Sequence, residues 1–382
     1  MKNILITGGA GFIGTEIVKQ LYDIGDWNIS VLDLMAKQIH GENWKNSYLY
    51  NQIKDKCHLI HGDVTDLEVV VNSIADNEYI IHLAAETGTG QSMYQINHYN
   101  SVNIMGTSNL FQAISILGEK CKVKKIILAS SRSVYGEGKY ICSNCGDVYP
   151  TGRLKEKMMA GDFSMYCDIC QSKLKPTYTT EDSKINPNSL YAFTKYAQEN
   201  MLQTMCPKFD IDYTIFRFQN VYGIGQSLRN PYTGILSIFS GLMLEDKPIN
   251  IFEDGLESRD FINVIDIAAG VIASLENDRT NSEIINLGSG VGTSVIEIAK
   301  YLKDSYGSKS EIKITGDFRL GDIAHNIADI DKAKSILNFS LTINLKEGLD
   351  DFCTWVKGEE IDNSHYEQSL SEMEQAGMFI RK

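Results

Sequence analysis

The stretch TGGAGFIG, residues 7–14, joins the apolar run NILI to a helical pattern of apolar residues. Its glycines Gly8, Gly11 and Gly14 allow a tight turn, a close approach of the backbone to a pyrophosphate, and close packing of helix on strand. The N-terminus of the helix that follows offers free N–H groups and the positive end of a dipole to phosphate oxygens. The stretch therefore predicts a dinucleotide-binding turn between a first strand and a first helix.

Two acidic residues follow at the ends of the next two predicted strands. Asp33 ends NISVLD, about 20 residues after the glycines, where a carboxylate can accept hydrogen bonds from an adenosine ribose. Because its charge repels a 2′-phosphate, Asp33 favours NAD over NADP as the cofactor. Asp63, in HGDV at the end of the third predicted strand, is placed to meet the adenine.

Short apolar runs alternate with helical patterns over the first two-thirds of the chain, which is typical of β-α-β units around a parallel sheet. The predicted strands after NILITG are NISVLD, HLIHGDV, YIIHLAA, KKIILASS and DYTIFRF. The predicted helices include TEIVKQLYDIG, which ends at Gly25 as its C-cap, SVNIMGTSNLFQAISIL and SLYAFTKYAQENMLQTM. From about residue 220 the elements are shorter and mixed, which indicates a second, ligand-facing domain.

Two cysteine pairs interrupt this alternation between residues 140 and 175. Their spacing, CxxC-x21-CxxC, is typical of a zinc ribbon, in which four thiolates close a tetrahedral site. Since four protein ligands leave no open position for water or substrate, the zinc is predicted to be structural. The predicted ligands are Cys142, Cys145, Cys167 and Cys170. Free cysteines in a flexible loop are the alternative, and the scattered cysteines elsewhere indicate inert thiols in a reducing compartment.

The predicted fold class is α/β, a Rossmann doubly wound parallel sheet with a smaller mixed α/β substrate domain and an inserted zinc ribbon. Residues 1–139 and 176–219 are predicted to form the NAD-binding domain, and 140–175 the zinc ribbon. Residues 220–358 are predicted to form mainly the substrate-binding domain, and 359–382 a polar C-terminal tail.

The net charge is -13, from 36 basic and 49 acidic residues, which argues against a broad face for nucleic acid. An anionic small ligand would therefore have to be met by local arginines. No apolar run reaches the roughly 20 residues needed to span a bilayer, so no membrane partner is predicted. The start, MKNILITGGA, lacks the apolar region and cleavage site of a signal peptide, which predicts a cytoplasmic protein.

A tyrosine four residues before a lysine on a helix can serve as a general acid/base, because the side chains share a face and the ammonium lowers the pKa of the phenol. The spacing occurs at Tyr50/Lys54, Tyr135/Lys139 and Tyr191/Lys195. Only the third lies in a well-patterned helix that follows the fifth strand and can lie beside a nicotinamide. ASSRSVYG, at the end of that strand, adds Ser131. The alternatives are a solvated Tyr–Lys surface pair and a serine turn.

Five stretches follow in order along the chain: GGAGFIG, HLAAE, NIMGT, SSRSVYG and YAFTK. On these, residues 1 to 355 resemble the NAD-dependent sugar epimerase/dehydratase family of extended short-chain dehydrogenases/reductases. The resemblance implies that Tyr191 is the general acid/base, that Lys195 holds the ribose and tunes the tyrosine, and that Ser131 hydrogen-bonds the reacting sugar hydroxyl. It also implies a homodimer, with Asn103 steadying the active-site helices. The residues assigned to NAD are Gly8, Gly11, Phe12, Ile13, Gly14, Asp33, Asp63, Val64, Leu83, Ala84, Ala85, Asn103, Tyr191 and Lys195.

The reaction implied by the resemblance depends on the two residues after Ser131. In 4,6-dehydratases of the family an Asp-Glu pair stands there and removes water, whereas this chain has Arg132 and Ser133. The resemblance therefore implies 4-epimerisation of a nucleotide-diphosphate sugar, with NAD reduced and reoxidised in each cycle. A 4,6-dehydratase and a UDP-hexose 4-epimerase are alternatives. A non-catalytic NAD-binding sensor is a further one, and the intact catalytic trio argues against it.

The diphosphate of such a substrate needs positive charge. Arg259 and Arg319 fall in stretches that resemble the diphosphate-binding loops of the family, while Arg217 is predicted to be structural. The predicted substrate-binding residues are Thr87, Ser131, Asn220, Tyr232, Arg259 and Arg319. GTGQSMYQI, the cysteine module and GQSLRNPYTG resemble a narrower branch that acts on dTDP-6-deoxyhexoses such as dTDP-L-rhamnose. The chain departs from that branch at Ala324, where a basic residue is expected, and at Arg132, where a small residue is usual, so the sugar and base stay open.

Overall fold

The computed structural model describes residues 1–228, 234–359, 361, 364–375 and 377–382. The strands are β1 Lys2–Thr7, β2 Trp27–Asp33, β3 His58–His61, β4 Tyr79–His82, β5 Lys125–Ser131, β6 Tyr140–Cys142, β7 Gly146–Val148, β8 Lys175–Pro176, β9 Tyr178–Thr179, β10 Asp212–Phe218, β11 Asn220–Tyr222, β12 Ile249–Ile251, β13 Ser258–Asn263, β14 Glu283–Leu287, β15 Gly292–Ser294, β16 Ile312–Ile314, β17 Phe318–Arg319, β18 His325–Ala328 and β19 Phe379–Ile380. The α-helices are α1 Phe12–Ile24, α2 Lys37–His40, α3 Tyr48–Ile53, α4 Leu67–Ile74, α5 Thr89–Ser92, α6 Ile96–Tyr99, α7 Gly106–Leu117, α8 Lys155–Met159, α9 Leu190–Met205, α10 Ile235–Leu244, α11 Val264–Ala273, α12 Val295–Tyr306, α13 Asp331–Leu337, α14 Leu345–Val356 and α15 Ser364–Gln375.

Seven parallel strands form the central sheet in the order β14-β10-β5-β4-β1-β2-β3. The strand order reverses between β1 and β4, so a crevice opens at the carboxyl ends of these two strands. The predicted doubly wound Rossmann sheet is confirmed. Its outer strand β14 comes from the segment after residue 220, beyond the part of the chain predicted to build the sheet.

Both faces of this sheet are covered by helices, which explains why its strands are largely apolar. In β1, Ile4 and Ile6 pack on the face that carries α1 and α11, while Leu5 packs on the face that carries α4, α7 and α9. The predicted helix cap is confirmed: Gly25 adopts a φ of 82°, and its N–H donates to the carbonyl of Leu21. The sheet is therefore a rigid platform for the loops at its carboxyl edge.

The second half of the chain also builds a smaller mixed layer. Strands β11, β13, β18 and β9 pair in parallel, β15 joins β13 in antiparallel orientation, and β12 pairs with β16. A separate apolar core lies between this layer and helices α10, α12 and α14, with Phe239, Leu302 and Phe352 among its buried residues. The predicted smaller mixed α/β unit is thus present beside the sheet.

The cysteine-rich insertion and the C-terminal tail are both folded onto this smaller unit. In the insertion, β6 pairs with β7 and β8 in antiparallel orientation. In the tail, β19 pairs with β17, and Leu370, Met373 and Phe379 are buried together. The polar composition of the tail therefore conceals a small apolar stripe. Of the described helices, none has both the length and the apolar character needed to cross a membrane.

Candidate active site

The glycine turn between β1 and α1 is built as the sequence predicts. A Cβ on Gly8 would stand 2.7 Å from the backbone nitrogen of Ala84, and one on Gly14 would stand 2.5 Å from the Cα of Gly9. A Cβ on Gly11 would meet only the Gly8 carbonyl, at 3.2 Å, and would otherwise project into open space. None of the described side chains caps the first turn of α1, and that turn contains no acidic residue. Its N–H groups are therefore free for a phosphate.

Asp33 holds this turn in place. Its carboxylate accepts hydrogen bonds from the backbone N–H of Ala10 at 3.0 Å and of Met35 at 2.8 Å. Asp63 similarly accepts from the N–H of Thr65 at 2.8 Å. Each carboxylate can accept further bonds from a ligand, since it has about four acceptor positions.

A cavity of about 1050 Å³ runs from the glycine turn along the carboxyl edge of the sheet. It is larger than the usual site for one drug-sized ligand, as a dinucleotide with a nucleotide sugar would require. The predicted residues that line it are Gly8, Gly11, Phe12, Ile13, Gly14, Asp33, Asp63, Val64, Leu83, Ala84, Ala85, Thr87, Ser131, Tyr191, Lys195 and Asn220. Three predicted residues, Asn103, Arg259 and Arg319, are described but stand behind its wall, and Tyr232 lies outside the described residues.

The fold distinguishes the three Tyr-x-x-x-Lys pairs by their position relative to the cavity. Among the described residues, only Tyr191 and Lys195 have both members in the cavity wall. Tyr135 is buried against Arg217, which donates to its hydroxyl at 2.8 Å. Tyr50 packs its ring edge-on against Trp44.

Tyr191 and Ser131 meet in the cavity. The Ser131 oxygen accepts hydrogen bonds from the N–H of Ser133 at 3.2 Å and from the Ser133 hydroxyl at 3.0 Å. Burial raises the pKa of Tyr191, and the nearby Ser131 hydroxyl and the charge of Arg132 act in the opposite direction. The geometry therefore pairs a phenol with a hydroxyl partner beside a cation.

Lys195 lines the cavity one helical turn after Tyr191. Its Nζ donates to the carbonyl of Ala129 at 2.9 Å, and burial lowers its pKa to about 7 although Glu199 acts to raise it. Burial has the largest effect on the pKa of Tyr191, and the cation that acts to lower it is Arg132, so the tuning of the phenol by Lys195 stays a prediction.

Asn103 links the active-site segments from behind the cavity. Its Oδ1 accepts from the N–H of Glu86 at 2.8 Å, and its Nδ2 donates to the Glu86 carbonyl at 3.1 Å and to the Thr194 hydroxyl at 2.9 Å. The Thr194 hydroxyl in turn donates to the carbonyl of Tyr191 at 2.8 Å. This fully buried amide links the tyrosine helix to the segment after β4, and it does not line the cavity.

A cluster of guanidinium groups surrounds Asp322, a cavity residue that the sequence alone did not single out. Burial acts to raise the pKa of Asp322, but the arginines outweigh it and hold the pKa below its usual range. These arginines are Arg259, Arg319, Arg153 and Arg132. Nη1 of Arg132 and Nε of Arg319 are buried and have no hydrogen-bond partner among the described residues. Positive charge is thus concentrated at one wall of an otherwise acidic protein.

The predicted structural role of Arg217 agrees with its contacts. Its Nε and Nη2 donate to the two carboxylate oxygens of Glu199 at 2.9 and 2.7 Å. Both side chains are almost fully buried, so this bidentate pair joins α9 to β10 rather than binding a ligand.

The four predicted metal ligands converge in the insertion. The sulfur atoms of Cys142, Cys145, Cys167 and Cys170 all lie within 4.8 Å of one another. A tetrahedral zinc with bonds of about 2.3 Å places its sulfurs about 3.8 Å apart, so the spacing fits this ion. Gly146 and Gln171, which follow the two pairs, both have positive φ, at 74° and 60°, which lets the backbone fold around the sulfurs.

The family model described as the NAD dependent epimerase/dehydratase family matches residues 4–153 and 164–288. The chain belongs to this family. The gap between the two matched ranges falls within the insertion, which agrees with an element added to the epimerase fold.

Individual relatives are similar over almost the whole epimerase chain. The dTDP-L-rhamnose 4-epimerase of Burkholderia thailandensis is 36% identical over 95% of this chain and 97% of its own. The UDP-glucose 4-epimerase of Thermotoga maritima, solved with UDP-glucose, has a TM-score of 0.74 and 26% identity over 93% of this chain and 99% of its own. The UDP-glucuronic acid 4-epimerase of Bacillus cereus, solved with UDP-glucuronic acid and NAD, has a TM-score of 0.74 and 25% identity over the same shares. This epimerase is thus an enzyme of the isomerase class, of the extended short-chain dehydrogenase/reductase type.

Proposed function

We propose that the protein epimerises a nucleotide-diphosphate sugar at C4, and that the sugar is a dTDP-6-deoxyhexose such as dTDP-L-rhamnose. The observation that carries the reaction is that Ser131 and Tyr191 line the same cavity as the glycine turn. The choice of sugar is supported by the 36% identity to a dTDP-L-rhamnose 4-epimerase and by the insertion that carries the cysteines.

NAD fits the other half of the cavity. The open space at Gly11, the uncapped first turn of α1 and the Asp33 carboxylate lie together, and they suit a pyrophosphate and an adenosine ribose. When bound, NAD⁺ supplies a hydride acceptor for C4 and returns the hydride to the opposite face of the sugar. Leu83, Ala84 and Ala85 would line the cofactor beside the glycine turn.

The protein's own groups handle the proton. Tyr191 accepts the proton of the C4 hydroxyl as the carbonyl forms, and it returns that proton when the alcohol is restored. Ser131 hydrogen-bonds the same sugar oxygen and keeps it in line with the phenol. The ketone turns over between the two half-reactions, so the net change is an inverted C4 with no net oxidation.

Dehydration of the same sugar is disfavoured by the residues at the cavity wall. Elimination of water across C5 and C6 needs a base and an acid that act on neighbouring carbons. The residues after Ser131 in the wall are Arg132 and Ser133, and they cannot replace the Asp-Glu pair that supplies this acid and base in the dehydratases. The guanidinium instead adds positive charge near the phenol, which favours proton abstraction from a hydroxyl.

The diphosphate is met by the cationic wall around Asp322. Arg132 lines the cavity, while Arg259 and Arg319 lie behind Asp322 and add positive potential. Guanidinium groups with unpartnered nitrogens are suited to phosphate oxygens. Asn220 and Thr87 would contact the sugar nucleotide from the same cavity, where Oδ1 of Asn220 is buried without a hydrogen-bond partner among the described residues.

Zinc and a second copy of the chain complete the proposal. One zinc would be held by the four clustered cysteines, and since all four positions of a tetrahedral ion are then filled, it would be structural. A homodimer would cover the apolar side chains of Ile96, Met105 and Phe193, which are 52, 54 and 53% exposed near α6, α7 and α9. The division into two domains with an inserted ribbon and a tail remains part of the same proposal.

The function is tested with purified protein, NAD and separate samples of dTDP-L-rhamnose, UDP-glucose and UDP-glucuronic acid, followed by NMR of the sugar ring and absorbance of NADH. We expect the C4 epimer of dTDP-L-rhamnose to form fastest, without net NADH. Preferential turnover of a UDP sugar would favour the alternative UDP-hexose 4-epimerase. Accumulation of a 4-keto-6-deoxy sugar from UDP-glucose would show a dehydratase, and binding of NAD without turnover of any sugar would leave a sensor.

A further inference from the structure

The insertion shares its buried core with the segment that forms one wall of the active-site cavity. The buried residues of this core are Tyr140, Cys142, Met165, Cys167, Leu174 and Ala324. All but Ala324 belong to the insertion, and Ala324 directly follows the cavity-lining segment 321–323. The residue that directly follows the wall therefore packs into the same core as two of the metal-type cysteines.

Ala324 also carries backbone contacts to both sides of the wall. Its carbonyl accepts from Nη1 of Arg259 at 3.1 Å, and its N–H donates to Oε2 of Glu137 at 2.9 Å. Nη2 of Arg259 donates to the Asp322 carboxylate at 3.2 Å, and its Nη1 donates to the Ser258 carbonyl at 3.0 Å. The orientation of this guanidinium is thus set by three acceptors, of which Asp322 lies in the wall and Ala324 directly follows it.

One side chain of the insertion reaches the wall directly. Arg153 forms an ion pair with Glu253, and the two side chains are only 3 and 2% exposed. Its Nη2 donates to the backbone carbonyl of Asp322 at 2.7 Å. Because its charge is already balanced by Glu253 and both of its Nη atoms have protein partners, Arg153 is suited to hold the wall and not to bind a phosphate itself.

A second bond holds the same wall from the tyrosine helix. Nδ2 of Asn188, just before α9, donates to the carbonyl of Gly321 at 3.0 Å. The segment 321–323 is therefore hydrogen-bonded to Arg153 of the insertion and to Asn188 beside the helix of Tyr191. Loss of the Arg153 bond would release Asp322 from the insertion, while Gly321 would stay bonded to Asn188.

We propose that Arg153 is a positioning residue for substrate affinity, through which the insertion holds Asp322 and its surrounding arginines in place for the diphosphate. The inference rests on the proposed nucleotide-sugar substrate. The inference assigns the insertion to the substrate half of the cavity, away from the glycine turn. Loss of the Arg153 side chain should therefore weaken binding of the nucleotide but not binding of NAD.

The test compares the full-length wild type with Arg153→Met and with the double variant Arg153→Met/Glu253→Met, which removes both buried charges and leaves neither unpaired. Calorimetry measures the Kd for dTDP, for UDP and for NAD⁺, and steady-state kinetics measure KM and kcat for the preferred sugar nucleotide. We expect both variants to weaken nucleotide binding and raise KM by about tenfold or more, the usual worth of a hydrogen bond to a charged group. The Kd for NAD⁺ and kcat should stay within about twofold of wild type.

Lys155→Met is the matched control, because it removes an exposed cation two residues along the same insertion. It should leave every constant unchanged. A folded double variant that binds dTDP and UDP like the wild type would overturn the inference, as would a loss shared equally by nucleotide and NAD⁺. A wild type that binds NAD⁺ but neither nucleotide would overturn the proposed function instead.

Discussion

Nζ of Lys195 lies 2.9 Å from the carbonyl oxygen of Ala129, in the strand that also carries Ser131. Through this bond the lysine ties α9 to the end of β5, so the tyrosine one turn earlier on the helix is held beside the serine. The lysine thus contributes to the geometry of the pair, whereas Arg132 is the cation that acts on the phenol in this structure.

Replacing Tyr191 tests the acid/base directly. Tyr191→Phe removes the phenol that lines the cavity together with Ser131, and we expect turnover to fall by about 10² to 10⁴, the usual contribution of general acid/base catalysis. Binding of NAD⁺ should persist, because the ring still fills its space. Tyr50→Phe is the matched control, since it makes the same change in another Tyr-x-x-x-Lys pair, and full activity of the Tyr191 variant would exclude this active site.

Arg132 should set the pH at which the enzyme becomes active. Its positive charge favours the phenolate of Tyr191, so Arg132→Met should raise the pKa of the phenol and move the acid limb of kcat/KM to higher pH. Arg132→Lys keeps a charge there and should move the limb less. Profiles recorded from pH 5 to 10 check this, and an acid limb that stays in place would show that the guanidinium does not act on the base.

Stability at mildly acidic pH should depend on His82. Burial lowers the pKa of this imidazole to about 3, and its ring nitrogens contact the Thr7 and Thr107 hydroxyls at 2.7 and 3.0 Å. Between pH 3 and 6.5 the unfolded chain binds a proton that the folded chain refuses, so the free energy of unfolding falls as pH drops, by up to about 1.4 kcal/mol per pH unit.

Urea unfolding of His82→Gln between pH 4 and 6.5 measures this effect. The variant should be less stable near neutral pH. Its free energy of unfolding should depend less steeply on pH, by the contribution of about one proton. His58→Gln, at an exposed position on β3, should keep the wild-type slope. Equal slopes in all three proteins would show that His82 is protonated in the folded state.

The cysteine cluster should bind about one zinc per chain, because its four sulfurs close a tetrahedral site. Elemental analysis should find the metal in the wild type and much less in Cys142→Ser, whose Tm should also fall. Cys121→Ser changes a cysteine outside the cluster and should retain the zinc. A metal-free chain with the wild-type Tm would contradict the zinc assignment.

The proposed homodimer can be disrupted at its apolar face. Phe193→Asp places a charge on an exposed position of α9, and burying that charge between two copies would be costly. Light scattering should therefore report a monomer for this variant and a dimer for the wild type. Ile169→Asp, at a position 77% exposed in the insertion, should leave the dimer intact. A wild type that is monomeric at all concentrations would end the proposal.

The local pattern of apolar residues and glycines was sufficient to predict the parallel sheet and the glycine turn. The period of apolar residues separates strands from helices, and the glycines occupy a turn where a Cβ would collide with neighbouring backbone, so β1, α1 and the position of Asp33 were predictable. The sequence could not show that the polar tail buries Leu370, Met373 and Phe379, because three apolar residues in a charged segment give no strong periodic signal.

The sequence by itself determined the chemistry available to this protein: the dinucleotide turn, the Ser131 and Tyr191 pair, and four cysteines at ribbon spacing. Only the tertiary structure decided how these parts are coupled. Arg153 and Asp322 are 169 residues apart and meet through one hydrogen bond, and Arg132 acts on a phenol 59 residues later in the chain. Such contacts join distant segments through packing of the whole core, and no spacing along the chain encodes them.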